Sequence, residues 1–219
     1  MSEFDRYASD YQRVLDASVG SAPYFADLKA RWLADRQGAA FAGRVLDYGC
    51  GVGLLAQALA GRLPHARIDG FDVSVDSLAA VPQPLRDAGQ FTADATALRT
   101  DYDAIVVANV LHHVPRQART GLIRDLVTRL GRGGKLVVFE HNPLNPATRW
   151  VVAHCAFDGD AVLLWPSETR SLLVQAGLCE VGTDAIGFFP PALAKLQGLE
   201  KHLRNLPVGA QYAAVGIKP

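Results

Sequence analysis

Two almost continuous apolar runs, YDAIVVANV (residues 102–110) and GKLVVFE (134–140), flank a segment patterned for one helical face, RQARTGLIRDLVTRLG (116–131). Runs without a polar alternate are suited to strands covered on both sides. A helix between two such strands makes a crossover, and crossovers build parallel sheets. Upstream, RVLDYG, ARIDGFD and the weaker GQFTADA read as strands. GLLAQALAGRL and SVDSLAAV read as the helices between them, the second opened by Ser74. Gly131 is expected to close the helix of 116–131. Downstream, PSETRSLLVQAGL reads as a helix. CEVGTDAIGFF and QYAAVGIKP read as two closing strands joined by a Pro-rich helical connector. Residues 4–15 and 22–35 read as two N-terminal helices. No repeat or linker divides the chain, so one domain of 1–219 is expected. It has seven strands and a doubly wound α/β architecture.

Ligands of open α/β sheets bind beyond the C-terminal ends of the strands. The first strand ends in Asp47 and runs into Gly49, Gly51 and Gly53 ahead of a helix. Glycines there allow a tight turn and close approach of a ligand to the backbone. The spacing is G-x-G-x-G, with Leu54 one place beyond, and not the dinucleotide G-x-G-x-x-G. Asp72 ends the second strand about 20 residues after the loop, where an acid can bind ribose hydroxyls. Asp94 ends the third and can meet an exocyclic amine. Each acid alone is also a normal turn or N-cap residue.

Composition excludes little but orients the reading. Lys+Arg and Asp+Glu both number 22, so no net charge draws the chain to nucleic acid or anionic membrane. The N-terminus lacks an apolar signal core and no run is long enough to span a bilayer. Cys50, Cys155 and Cys179 are scattered without zinc spacing, which fits a reducing cytoplasm.

VLDYGCGVG, FDVS, TADA and IVVANVLHHVP, in this order, resemble the motifs of class I S-adenosylmethionine-dependent methyltransferases. The ending LPVGAQYAAVGIKP and the segment EHNPLNPATR are similar to a bacterial small-molecule branch that includes quinone-ring methyltransferases. The resemblance implies a Rossmann-like, mostly parallel seven-stranded sheet with an antiparallel last strand. It implies that Asp47 and the loop from Gly49 through Gly51 to Gly53 hold the methionine part of S-adenosylmethionine. Asp72 and Val73 would then bind the ribose side. Asp94 with Ala95 would read the adenine, and Asn109 would line the floor. Tyr7 and Tyr11 match a helix that closes over the cofactor, within a lid of residues 1–40. An aromatic face suits a sulfonium, and core packing is the alternative.

Methyl transfer to a hydroxyl gains from a general base, and histidine titrates in the useful range. His112 follows the fourth strand and His141 the fifth, so both are expected on one rim as catalytic candidates. His113 is expected to be a buried imidazole bonded to backbone. Glu140 is either an orienting group or a solvated strand end. In FEHNPLNPATR the two Asn-Pro pairs restrict the backbone to extended or turn shapes. Residues 141–165 are long for a connection and rich in apolar side chains. They are expected to cap the acceptor, whose body would be apolar or aromatic. Arg149 is open to two roles, an anion contact or a surface ion pair. No metal site is expected.

The sequence therefore points to a cytoplasmic enzyme methylating a small molecule, with oxygen favoured. Nitrogen or carbon acceptors and a non-catalytic, cofactor-binding partner subunit remain alternatives. No Asn-Pro-Pro-aromatic or Pro-Cys motif and no basic stripe suggests nucleic acid. The oligomeric state leaves no mark on the sequence.

Overall fold

Residues 136–139 are Leu, Val, Val and Phe, so a strand built from them must be covered on both faces. The computed structural model of the chain describes residues 22–38, 40–155 and 161–219. Its strands are β1 (Arg44–Tyr48), β2 (Arg67–Phe71), β3 (Phe91–Thr92), β4 (Tyr102–Ala108), β5 (Leu130–His141), β6 (Cys179–Ile186) and β7 (Gln211–Ile217). Among the described residues they form one seven-stranded sheet, ordered β3-β2-β1-β4-β5-β7-β6. The pairings among β1 to β5 are parallel, and β7 lies antiparallel between β5 and β6. The doubly wound α/β sheet with an antiparallel last strand is thus observed.

The helices are α1 (Ala22–Gln37), α2 (Leu54–Arg62), α3 (Val75–Ala79), α4 (Gln83–Ala88), α5 (Arg116–Arg129), α6 (Pro146–His154), α7 (Pro166–Gln175) and α8 (Glu200–Leu203). Alternation along each strand sends successive side chains to opposite faces. Val45, Val106, Val137 and Phe139 pack on one face against Leu28, Trp32 and Leu33 of α1 and Leu55 and Leu59 of α2. The Trp32 indole meets the Phe139 ring edge-on at 5.4 Å. Leu46, Ile105, Leu136 and Val138 pack on the other face against Ile123 and Leu126 of α5 and Leu173 of α7. Truncating a fully buried aromatic such as Phe139 costs about 3–5 kcal/mol.

Some expectations need correction. Helix α5 ends at Arg129, and Leu130 already begins β5, so Gly131 caps no helix. The register instead shifts between Tyr102 and Ala104, which face Leu130 and Lys135. Residues 131–134 form a bulge there, and a Cβ on Gly134 would come within 2.8 Å of the Tyr102 carbonyl. GQFTADA yields only two strand residues, because Asp94 turns the chain into a short 3₁₀ segment. The second Asn-Pro pair opens a helix, with Asn145 as N-cap and Pro146 in the first turn of α6. The helix expected at 4–15, with Tyr7 and Tyr11, lies outside the described residues. No helix among them is long and apolar enough to cross a membrane.

Candidate active site

The exit of β1 is a backbone device. Gly49, Gly51 and Gly53 have φ of 79°, 52° and 84°, where L side chains are strained. The N–H groups of Gly49 and Cys50 donate to the Phe71 carbonyl at 2.7 and 3.0 Å, fastening the loop to the end of β2. A Cβ on Gly49 would overlap Val110 Cγ2. Gly53 caps α2 and stands behind the loop, outside the cleft walls.

Asp47 is buried at the end of β1 and its Oδ2 has no hydrogen-bond partner. Burial, reinforced by the charge of Asp72, pushes its carboxyl up to about 7, while Lys29 opposes the shift. Asp72 Oδ2 accepts from Gly51 N–H at 2.7 Å and Oδ1 from Ser74 N–H at 2.9 Å. It therefore shapes the glycine loop while walling the cleft beside exposed Val73. Asp94 and Ala95 stand outside these walls. Asp94 is exposed and accepts from Thr96 N–H at 2.8 Å and Thr96 Oγ1 at 2.6 Å.

Sequence reasoning missed Lys29. Ala26, Lys29, Ala30 and Leu33 follow the i, i+3, i+4, i+7 rule and are all buried in α1. That spacing was the available signal for a lysine on the inner face. Burial lowers its ammonium to about 8, against the opposing pull of Glu140 and Asp47.

On the acceptor side, β4 runs into the 3₁₀ turn Leu111–His113 and β5 ends in Glu140 and His141. His112 Nδ1 lies 2.5 Å from Glu140 Oε2, and both side chains are almost fully buried. Glu140 Oε1 accepts from Leu111 N–H at 2.8 Å. Burial alone would raise the Glu140 carboxyl. The charge of His112 and its hydrogen bond outweigh burial and bring it below its ordinary value. The ring of His112 lies 4.2 Å from that of His113 and 5.3 Å from that of His141, centre to centre. The expected burial of the paired histidines is thus reversed. The 3₁₀ turn drives His112 inward against Glu140, and His113 is the half-buried one.

Lys29, Asp47, Asp72, His112, His113 and His141 line one cleft of about 400 Å³ with Phe25, Val114, Leu122, Val151 and Cys155. Asn109, at φ 57°, and Gln211 also wall it, each with a buried oxygen lacking a partner. Beyond His141, which lines it, FEHNPLNPATR serves this cleft indirectly. Asn142 Nδ2 donates to the carbonyls of Pro207 and Gly209 at 2.9 and 2.8 Å, and Asn145 Nδ2 to that of Val208 at 2.7 Å. Thr148 Oγ1 adds a bond to Ala210 at 2.8 Å. The loop thereby fixes the entry to β7 and the position of Gln211. Arg149 is exposed and stands outside the walls. Buried Arg119 fastens the far side, donating to Val114 and Val162 carbonyls at 3.0 and 2.9 Å and pairing with Glu168 at 3.3 Å. No cluster of three or more His, Cys, Asp or Glu among the described residues is placed to hold a metal.

The chemistry of these groups fits S-adenosylmethionine. A buried carboxyl with an unsatisfied Oδ2 suits an ammonium, a buried lysine suits a carboxylate, and Asp72 suits hydroxyls. The orphaned oxygens of Asp47 and Asn109 are the groups a ligand would satisfy.

A family model described as a methyltransferase domain matches residues 7–177. The chain is 26% identical over 162 residues to a ubiquinone biosynthesis O-methyltransferase of Aeromonas salmonicida, covering 70% of this chain and 66% of that one. It is 35% identical over 173 residues to a trans-aconitate 2-methyltransferase of Mycobacterium marinum, covering 72% and 65%. The chain thus spans slightly under two thirds of the length of these relatives. A solved SAM-dependent methyltransferase from Archaeoglobus fulgidus shares the fold at a TM-score of 0.70 and 14% identity, over 95% of this chain and all of that one. Matched over most of its length by the family model, and carrying the family's glycine loop and sheet order, the chain belongs to the class I S-adenosylmethionine-dependent methyltransferases.

Proposed function

We propose that this chain transfers a methyl group from S-adenosylmethionine to a hydroxyl oxygen of a small aromatic or apolar metabolite. The observation that carries the reading is the cluster of three imidazoles, His112, His113 and His141, in the wall of an otherwise mainly apolar cleft. When bound, S-adenosylmethionine supplies the electrophilic methyl group, so the chain must position the acceptor, exclude water and take up a proton.

Asp47 and Lys29 hold the two charged groups of the methionine end. The Gly49–Gly51 backbone gives close approach, Asn109 closes the floor, and Asp72 with Val73 takes the ribose. Asp94 and Ala95 at the rim meet the adenine. His112 and His141 are the candidate bases. Helix α6 and residues 161–165 form the cap, with Val151 and Cys155 meeting the acceptor's apolar body. Tyr7 and Tyr11 belong to the lid. The acceptor is a small molecule, not nucleic acid, and the site of action is the cytoplasm. The two relatives, one a ubiquinone biosynthesis O-methyltransferase and one a trans-aconitate 2-methyltransferase, support a small acceptor.

The test incubates the purified chain with methyl-labelled S-adenosylmethionine and a panel of phenols, aliphatic alcohols, amines and a structured RNA. S-adenosylhomocysteine and the methylated product are followed by mass spectrometry. Product from hydroxyl acceptors is expected. Label entering only amines, carbon or RNA would replace the oxygen reading. Binding without turnover across the panel would favour a partner-subunit role.

A further inference from the structure

We propose, resting on the reading that a small molecule is methylated on a hydroxyl, that Gln211 sets the acceptor's class. Its side-chain carbonyl receives a hydrogen bond from a second donor on the acceptor. The preferred acceptor therefore carries a further O–H or N–H at the neighbouring or next ring position from the hydroxyl that reacts. Gln211 is 3% exposed, lines the cleft, and its Oε1 has no hydrogen-bond partner. A buried carbonyl without a donor is costly, and a ligand that supplies the donor removes that cost.

Register puts Gln211 at the acceptor end. Side chains alternate along a strand. On β5, Val137 and Phe139 pack under α1, and His141 continues their face. On β7, Val215 and Ala213 pack on the same side, and Gln211 continues theirs. His141 and Gln211 are directly opposite in the antiparallel pair. Their side chains are therefore neighbours, with Cβ atoms about 5 Å apart. A donor that reaches Gln211 thus lies within one ring of a group that meets the imidazoles. Asp47 is remote from this point. β1, β4, β5 and β7 are successive in the sheet, so Gln211 lies three strand spacings, about 14 Å, from Asp47. Asp47 is level with Val106 and Val106 with Val137, while His141 stands four residues, about 13 Å, beyond Val137. The amide is out of reach of an ammonium held by Asp47.

The backbone holds this amide from both sides. Gln211 pairs with His141 of β5 and with Ile186 of β6. The Ala210 carbonyl accepts from Asn142 N–H at 3.1 Å and from Thr148 Oγ1 at 2.8 Å, and Ala210 N–H donates to the Gly187 carbonyl at 3.0 Å. Val151, one turn along α6 from Thr148, adds an apolar wall to the cleft. The terminal torsion of a glutamine has broad preferences, so the carbonyl turns toward an incoming donor at little cost. A site of this kind discriminates, because an acceptor without the donor leaves the carbonyl unpaired.

Catechol and guaiacol differ in whether the second oxygen carries a proton or a methyl group. Resorcinol and 3-methoxyphenol make the same pair one ring position further. Their affinities for the full chain carrying S-adenosylhomocysteine, measured by titration calorimetry, read the contact without turnover. Wild type is expected to bind the diol of at least one pair about 10- to 100-fold more tightly than its ether. In Gln211→Met, which keeps the side-chain length, that preference should collapse to within about twofold through weaker diol binding. Gln211→Leu gives the same comparison if the methionine variant does not fold. A preference caused by the bulk of the ether would survive either substitution and overturn the proposal. Equal wild-type affinities within both pairs, or no binding by any of the four, also overturn it. So does a loss of about tenfold in S-adenosylmethionine affinity in Gln211→Met, which would move the amide into the cofactor cradle. If the diol preference obeys the substitution but no hydroxyl is ever methylated, the oxygen reading fails by itself and the Gln211 contact stands.

Discussion

Lys29 and Asp47 place a buried cation and a buried carboxylate in the wall of the same cleft, and each pulls the other toward its charged form. One comes from α1 and one from β1, so the sheet and its covering helix share an electrostatic contact at the cofactor cradle.

This pair sets a pH signature on stability. Asp47 titrates at about 7 in the fold against 3.8 ordinarily, so the native state keeps a proton that the unfolded chain gives up. Its contribution is full below 3.8 and is lost as pH rises to about 7. Lys29 titrates at about 8 against 10.5, so its burial penalty is full below 8 and is relieved as pH rises toward 10.5. From these two groups, stability should pass through a minimum between about 7 and 8. Urea midpoints across pH check this. Asp47→Asn should abolish the decline on the acid side.

Asp72→Ala removes the acceptor of Gly51 and Ser74 N–H and the group offered to the ribose. Losing charge-assisted bonds of about 1.5–3 kcal/mol should weaken S-adenosylmethionine binding by about 10- to 100-fold. Titration calorimetry measures it, and unchanged affinity would remove Asp72 from the cradle.

His112→Ala and His141→Ala separate binding from chemistry. Both should leave cofactor affinity within about twofold, while an essential base lowers turnover by about 10²- to 10⁴-fold. His112 is expected to show the larger loss. Equal wild-type rates in both variants would mean that the reaction needs no base from this wall.

Asn142→Ala strips three side-chain hydrogen bonds from a buried position. Two carbonyls of the 207–210 loop lose their donor, so a loss of about 2–4 kcal/mol is expected in denaturant unfolding. Asn145→Ala, which removes an N-cap and one bond to Val208, should cost about 1–2 kcal/mol. A destabilisation by Asn142→Ala smaller than that by Asn145→Ala would contradict the clasp.

The parts of the fold legible in the sequence were those with a local cause. Val45, Asp47 and the alternate glycines announced a strand, an acid and a turn in adjacent residues. Ser74 announced its cap and the structure has it, with Ser77 N–H at 3.1 Å from its hydroxyl. The runs of β4 and β5 announced burial on both faces. What escaped depended on distant partners. Lys29 looks like any surface lysine until Asp47 and Glu140 are folded beside it. Which of His112 and His113 turns inward is decided by Glu140, 28 residues further along. Arg119 sat in an amphipathic helix with nothing to mark it as the anchor of Val114 and Val162. The Asn-Pro pairs read as turns because a cap followed by proline at the first helical position carries the same letters.

The place of β7 between β5 and β6 has a consequence for the order of assembly. Residues 211–217 leave the ribosome after every other strand described here. Until they arrive, β5 offers an unpaired apolar edge, the kind of surface on which nascent chains stick to one another. In that interval Asn142 has no carbonyls to hold and the cleft lacks Gln211. A ribosome-bound intermediate should therefore already possess the glycine loop and Asp47, yet gain its finished cleft only when the latest-made strand inserts into the sheet.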